Sequence, residues 1–171
     1  MALTSAGMAV GSTSHLLNAK SYSQVVGAGR KVNIAYIGIG KRGEQIISEF
    51  AKTNRVNVVA LCDVDMGAKH TQKVMGMYPN AKRYQDFRKM FDEMGNQFEA
   101  VFVETPDFSH FPCVMLALNQ GKHVYVEKPM GRTFYECQLM IDAAKRNPQL
   151  VTQGGNQGHS EANYFQFKAW L

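Results

Sequence analysis

Six residues, Gly38-Ile39-Gly40-Lys41-Arg42-Gly43, set three glycines in GxGxxG spacing between an apolar run, Val32 to Ile37, and a segment of helical periodicity from Gly43 to Lys52. A strand, glycine turn and helix in that order bring backbone amides and the positive end of a helix dipole to a diphosphate. Gly38 permits the tight turn, Gly40 lets a pyrophosphate approach the backbone, and Gly43 allows the helix to pack closely on the strand. Lys41 and Arg42 add two cations within reach of a phosphate. Asp63 closes the next apolar run, Val56 to Cys62, about twenty residues beyond the turn, where a carboxylate accepts hydrogen bonds from the adenosine ribose and repels a 2′-phosphate. The dinucleotide expected is therefore NAD, with NADP the less favoured form. Asp65, two residues on, is a candidate cap for the helix that follows.

Three more segments carry groups suited to chemistry on a bound ligand. Thr105-Pro106-Asp107-Phe108-Ser109-His110 follows a buried run, and Pro106 fixes a turn at a strand's carboxyl end, where ligands of open α/β sheets bind. His110 lies early in the next helix, as a core histidine or as a ligand contact. Glu127 and Lys128 precede Pro129 after another strand, so a rigid turn holds both side chains at the sheet edge. A lysine there is placed to hydrogen-bond an oxygen whose carbon gives up hydride; the plainer alternative is a surface ion pair closing a loop. From Gln153 to His159, glycines alternate with Asn156, Gln157 and His159, whose polar groups suit a carboxamide or sugar hydroxyls, or a solvated hinge.

These segments need a framework of alternating strands and helices. Strands are expected at Val32 to Ile37, Val56 to Cys62, Lys82 to Tyr84, Phe98 to Glu104, His123 to Val126 and Leu150 to Gln153. Helices are expected from Gly43 to Lys52, about Met66 to Met77, Phe87 to Met94 behind the cap Asp86, after Thr105-Pro106-Asp107 to about Asn119 with Gly121 closing it, Arg132 to Arg146, and Glu161 to Leu171. Short connections between them indicate βαβ units. The fold class is thus α/β: a Rossmann-type, doubly wound, mainly parallel six-stranded sheet.

Together the glycine turn, the T-P-D-F-S-H segment and the Glu-Lys-Pro triplet resemble the glucose-fructose oxidoreductase/inositol dehydrogenase/rhizopine catabolism (Gfo/Idh/MocA) family, over Lys31 to about His159. The triplet is its most specific mark. The resemblance implies that Thr105, Pro106 and His110 line the nicotinamide side of a cleft. It assigns Lys128 to catalysis at the reacting oxygen, with Glu127 contacting the nicotinamide ribose or holding Lys128. Asn156, Gln157 and His159 become candidates on the loop leading toward the substrate domain. Members of the family continue into a second α/β domain that supplies most substrate contacts, an acid/base pair and the oligomer interface. On this reading residues 31–160 are the NAD(P)-binding domain, 161–171 begin a connection to an absent substrate domain, and the fragment is not active alone. The whole protein would be a homo-oligomeric, NAD-dependent oxidoreductase acting on a sugar, polyol or glycoside. Two rivals are a glycosidase that uses NAD in a transient redox cycle and a non-catalytic NAD- or sugar-sensing homologue, against which Lys128 argues.

Bulk composition narrows the field. At 171 residues the chain has room for one domain, and 45% apolar against 19% charged residues places it among chains that bury a core. The net charge of +5 is scattered in ones and twos, which argues against a nucleic-acid partner. Cys62, Cys113 and Cys137 lack metal-ligand spacing and read as free thiols, so no metal is expected. Met1 to Gly29, rich in Ala, Ser, Gly and Thr, reads as a leader or linker. It resembles the back half of an exported leader without its basic start, so export is expected, with a cytoplasmic location the alternative. Its apolar stretch is too short and interrupted to span a bilayer.

Overall fold

A computed structural model describes residues 29–159 and 161–170; the leader-like stretch expected at the start lies, over residues 1–28, outside the described residues. The unit from Lys31 onward is built on a six-stranded sheet in the order β3-β2-β1-β4-β5-β6. Its strands are β1 Val32–Ile37, β2 Val56–Cys62, β3 Lys82–Tyr84, β4 Ala100–Val103, β5 His123–Val126 and β6 Thr152–Gly154. Every neighbouring pair is parallel. The crossovers run through α1 Lys41–Lys52, α2 Lys69–Met77, α3 Phe87–Met94, α4 His110–Asn119 and α5 Phe134–Arg146, and α6 Ala162–Trp170 follows β6. This is the doubly wound order, in which chain direction along the sheet reverses between β1 and β4.

Alternation along the strands sorts the core into two layers, as a pleat of period two requires. Ile34 and Tyr36 of β1, with Ala100 and Phe102 of β4, pack against Ile46 and Ile47 of α1 and Val74 and Met75 of α2. Ala35, Ile37, Val101, Val103, Val124 and Val126 face the other way, toward α3, α4 and α5. Tyr36, Phe102 and Tyr125 stand in register on β1, β4 and β5, with ring centroids 4.8 Å and 5.2 Å apart. Phe50 of α1 meets Phe102 edge-on at 4.5 Å. Two residues beyond this row, and one past the end of each strand, stand Gly38, Glu104 and Glu127.

Several expected boundaries move, each for a local reason. Helix α1 opens at Lys41 rather than Gly43, because Glu44 N–H already donates to the Gly40 carbonyl at 2.8 Å. Helix α2 opens at Lys69 rather than Met66, because Asp65 Oδ1 accepts from the N–H groups of Gly67 and Ala68 and holds them in a turn. Asp65 therefore shapes the loop and does not cap the helix, whose N-cap is Ala68. Helix α4 follows a short 3-10 turn, Asp107–Ser109. It ends as expected at Gly121, at φ +67°, where Lys122 N–H donates to Ala117 O and Gly121 N–H to Leu118 O in a Schellman arrangement. Helix α5 opens at Phe134, not Arg132, because Thr133 and Glu136 cap each other's backbone reciprocally. Strands β4 and β6 are shorter or shifted relative to the apolar runs that announced them. Among the described residues no helix is long and apolar enough to cross a membrane.

Two glycines separate packing from propensity. A methyl group on Gly43 would sit 2.2 Å from the Gly38 carbonyl oxygen, which is backbone and cannot swing aside, whereas among the described residues nothing lies within 4 Å of the same position on Gly76 in α2. We expect Gly43→Ala to destabilise the domain by about 1–3 kcal/mol and Gly76→Ala to stabilise it by about 0.4–1 kcal/mol, read by urea denaturation.

Candidate functional site

The carboxyl ends of β1, β4 and β5 and the helix starts above them form one polar edge. Gly38, at φ +88°, admits no side chain: a Cβ there would lie 2.7 Å from the Glu104 carbonyl carbon and the Thr105 nitrogen. Gly38 and Gly43 are thus glycines because protein backbone presses on them. Gly40 is different: among the described residues an added Cβ would meet only the His70 ring, at 3.8 Å, and as N-cap of α1 it brings no side chain to the helix's first amides. Space and donors remain open there to an anion.

Asp63 sits at the end of β2, where the spacing put it. Its Oδ2 accepts from Ile39 N–H at 2.9 Å and its Oδ1 from Asp65 N–H at 2.9 Å, so its first task is to hold the glycine turn. A carboxylate offers about four acceptor positions, which leaves capacity for ribose hydroxyls. Next to it a cleft of about 280 Å³ runs between Gly38, Gly40, Val64, Phe87, Thr105 and Pro106, mostly apolar in lining.

Arg42 does not wait for a phosphate. Its guanidinium pairs with Glu127 Oε1 at 2.6 Å and donates to Gln157 at 3.0 Å, bolting the glycine turn to the segments after β5 and β6. The Glu127 hydrogen bond raises the Arg42 pKa. Of the two expected phosphate-reaching cations, only the exposed Lys41 is left uncommitted by these contacts. Glu127 is buried, its side chain 5% exposed, and its Oε2 accepts from the Lys128 backbone N–H at 3.2 Å. It is therefore neither paired with the Lys128 ammonium nor part of a surface ion pair. Lys128 itself is exposed at the edge, joined to Pro129 by a cis peptide bond.

His110 is 1% exposed, its Nδ1 2.7 Å from Pro129 O and its Nε2 2.8 Å from Thr105 O. A carbonyl oxygen only accepts and a neutral imidazole donates through one nitrogen, so one of these contacts is a hydrogen bond in a given tautomer, and the buried ring sits between the two turns with both nitrogens turned toward backbone. Thr105 Oγ1, by contrast, is buried without a partner among the described residues. Asn156 and His159 lie on an exposed loop, the His159 ring stacked on Tyr164 at 5.0 Å. Gly155 is the residue of that loop with a steric task, since a Cβ would come within 2.7 Å of Glu127 Oε1 and the Tyr125 hydroxyl.

Glu104 is a residue of this edge that motif and spacing do not single out. In sequence it only ends an apolar strand, yet it is 6% exposed and neither carboxyl oxygen has a hydrogen-bond partner among the described residues. Burial and the nearby Glu127 charge push its pKa up to about 8, against a smaller pull from Arg42. A signal for it does exist: an acid two residues beyond Phe102 on a strand of period two must share that ring's buried face.

Residues 32–154 match the family model described as an oxidoreductase family with an NAD-binding Rossmann fold. The chain belongs to the Gfo/Idh/MocA oxidoreductase family. Among curated relatives, an inositol 2-dehydrogenase of Salmonella typhimurium is 31% identical over 134 residues, covering 77% of this chain and 39% of the relative. An alpha-N-acetylgalactosaminidase of Shewanella oneidensis is 28% identical over 139 residues, covering 76% and 30%. The chain thus spans well under half the length of either relative. In fold, this Gfo/Idh/MocA domain is similar to a scyllo-inositol dehydrogenase from Lactobacillus casei solved with NAD(H) and scyllo-inositol, at TM-score 0.70 and 22% identity over 82% of this chain and 40% of that one.

Two measurements follow from this geometry. A double-mutant cycle of Arg42→Met and Glu127→Gln should return a coupling of about 1–2 kcal/mol, reduced from the fully buried case by the exposure of Arg42. Glu104 gives a pH effect of known sign. Between its ordinary value of 4.5 and about 8 the unfolded chain has lost a proton that the folded chain keeps, so stability falls as pH rises through that window. Denaturation midpoints of Glu104→Gln should lack that part of the slope.

Proposed function

We propose that residues 31–160 bind NAD(H) at the glycine turn and form the cofactor-binding part of an oxidoreductase acting on a secondary alcohol of a sugar or polyol. The observation that carries this reading is Gly40. Its neighbours in the motif are glycines for the sake of the fold, whereas Gly40 keeps clear a space that none of the described residues fills. The amides at the start of α1 would hold the diphosphate, and Asp63 the adenosine ribose, which favours NAD over NADP. The apolar walls at Val64 and Phe87 suit an adenine ring. Thr105 Oγ1 and Pro106 would meet the nicotinamide end, beside Glu127 as held by Arg42. When bound, NAD supplies the hydride acceptor. Lys128, exposed at this edge, would hydrogen-bond the substrate oxygen and hold or pass its proton. Asn156 and Gln157 flank the same edge, Gln157 already on Arg42.

A second reading draws on the alpha-N-acetylgalactosaminidase relative, nearly as similar as the dehydrogenase. In it the same domain would serve a glycosidase that returns its cofactor unchanged. Bond cleavage without net NADH separates the two.

Calorimetry on the folded chain should show binding of NAD at submillimolar concentration and weaker binding of NADP. Asp63→Ser should narrow that preference by about tenfold or more, the worth of one charge-assisted contact. In the full-length protein Lys128→Met should lower turnover by about a hundredfold or more, with a much smaller change in NAD affinity. Binding of neither nucleotide would overturn the reading.

A further inference from the structure

Glu104 is used by none of the roles above, and its surroundings are unusual. Its backbone is pressed against Gly38, and its Cβ is 3.6 Å from where a Cβ of Gly43 would stand, so the side chain leaves the backbone directly behind the turn. Charged and titratable groups face it from each element packed around it. Tyr36 comes from β1, Arg42 from α1, Tyr125 from β5 and Glu127 from just past the end of that strand. Of these, Arg42 is already committed to Glu127 at 2.6 Å and to Gln157. The Tyr36 hydroxyl, like both oxygens of Glu104, has no hydrogen-bond partner among the described residues. A carboxylate so enclosed, with the one cation beside it among the described residues neutralised by another acid, is poorly compensated. A diphosphate arriving on the other side of the same glycines would add negative charge a short distance away, in a region where water screens little.

We propose that Glu104 is a proton-linked residue of the dinucleotide site: the turn accepts a diphosphate readily while the carboxyl group behind it is uncharged, and binding at alkaline pH draws a proton onto Glu104. The inference rests on the dinucleotide reading given above. Glu104 acts through the field it sets behind the turn and not by touching the ligand. Because its pKa lies near 8, the change falls in an accessible range. Affinity is highest below that value and declines above it, and the bound diphosphate raises the pKa further. The nicotinamide ring has no part in this, so ADP-ribose should show the same behaviour as NAD.

The test is calorimetry of NAD and of ADP-ribose binding to the 171-residue chain between pH 6.5 and pH 9.5. Repeating each titration near pH 8.5 in two buffers of different ionisation enthalpy counts the protons taken up. We expect both ligands to weaken by about tenfold between pH 7 and pH 9.5, as follows if the bound diphosphate moves the Glu104 midpoint upward by about one pH unit, with net proton uptake at pH 8.5. Glu104→Gln should bind each ligand with an affinity that is flat across the same range and with no uptake. Should that variant fail to fold, carboxyl-carbon NMR of the wild-type chain reads the same event, as a Glu104 titration midpoint that moves upward when ADP-ribose is added. A pH dependence that persists in Glu104→Gln, or a midpoint that ADP-ribose leaves in place, overturns the proposal and spares the dinucleotide reading. Absence of binding by either ligand at every pH overturns both.

Discussion

The first turn of α1 lies against the end of β1 so closely that no side chain fits between them: a Cβ on Gly43 would come within 2.2 Å of the Gly38 oxygen. This contact sets the angle at which the helix leaves the sheet, and with it where the helix dipole points. It also decides the reach of Arg42, one residue before the contact, which crosses β4 to meet Glu127 after β5. Glycine at 38 lets the Glu104 and Thr105 backbone approach from the adjacent strand. Three strand ends and one helix start are thereby held as a unit, which is the rigidity a binding site needs if its groups are to stay within a fraction of an ångström of their working positions.

Behind that edge the protein keeps polar groups where apolar ones would pack more cheaply. The stacked row of Tyr36, Phe102 and Tyr125 ends in Glu104 and Glu127, both nearly out of solvent. Glu127 is compensated by Arg42 and by the Lys128 amide, whereas Glu104 has no such partner among the described residues. Breaches of the rule that buried polar groups are paired cluster at functional sites, because a fold tolerates an unfavourable group where the group has something else to do. His110 shows the opposite economy. Both ring nitrogens lie on backbone carbonyls, so a residue that family likeness placed at the ligand works here as a brace between the two turns that approach it.

Most of the framework was legible locally. Strands β1, β2, β3 and β5 and helix α3 occur where apolar runs, turns and the cap Asp86 put them, since each is determined by residues within a few positions of itself. Boundaries moved where a side chain competed for backbone donors, as at Asp65 and at the Thr133 and Glu136 pair. The glycine pattern and Asp63 could be read together because their spacing encodes a strand, a turn and a second strand alongside, all within a single βαβ unit.

Chain order alone therefore determined the α/β class, the position of the glycine turn and the residues available to line it. Tertiary structure decided which of them are free to act. It spent Arg42 on Glu127, turned His110 toward carbonyls, gave Asp63 the Ile39 amide to hold, and drew Glu104 into the interior. The reason is distance along the chain: Arg42 and Glu127 stand 85 positions apart, and His110 and Pro129 stand 19 apart. Local periodicity carries no information about partners that only the ordering of β1, β4 and β5 brings side by side.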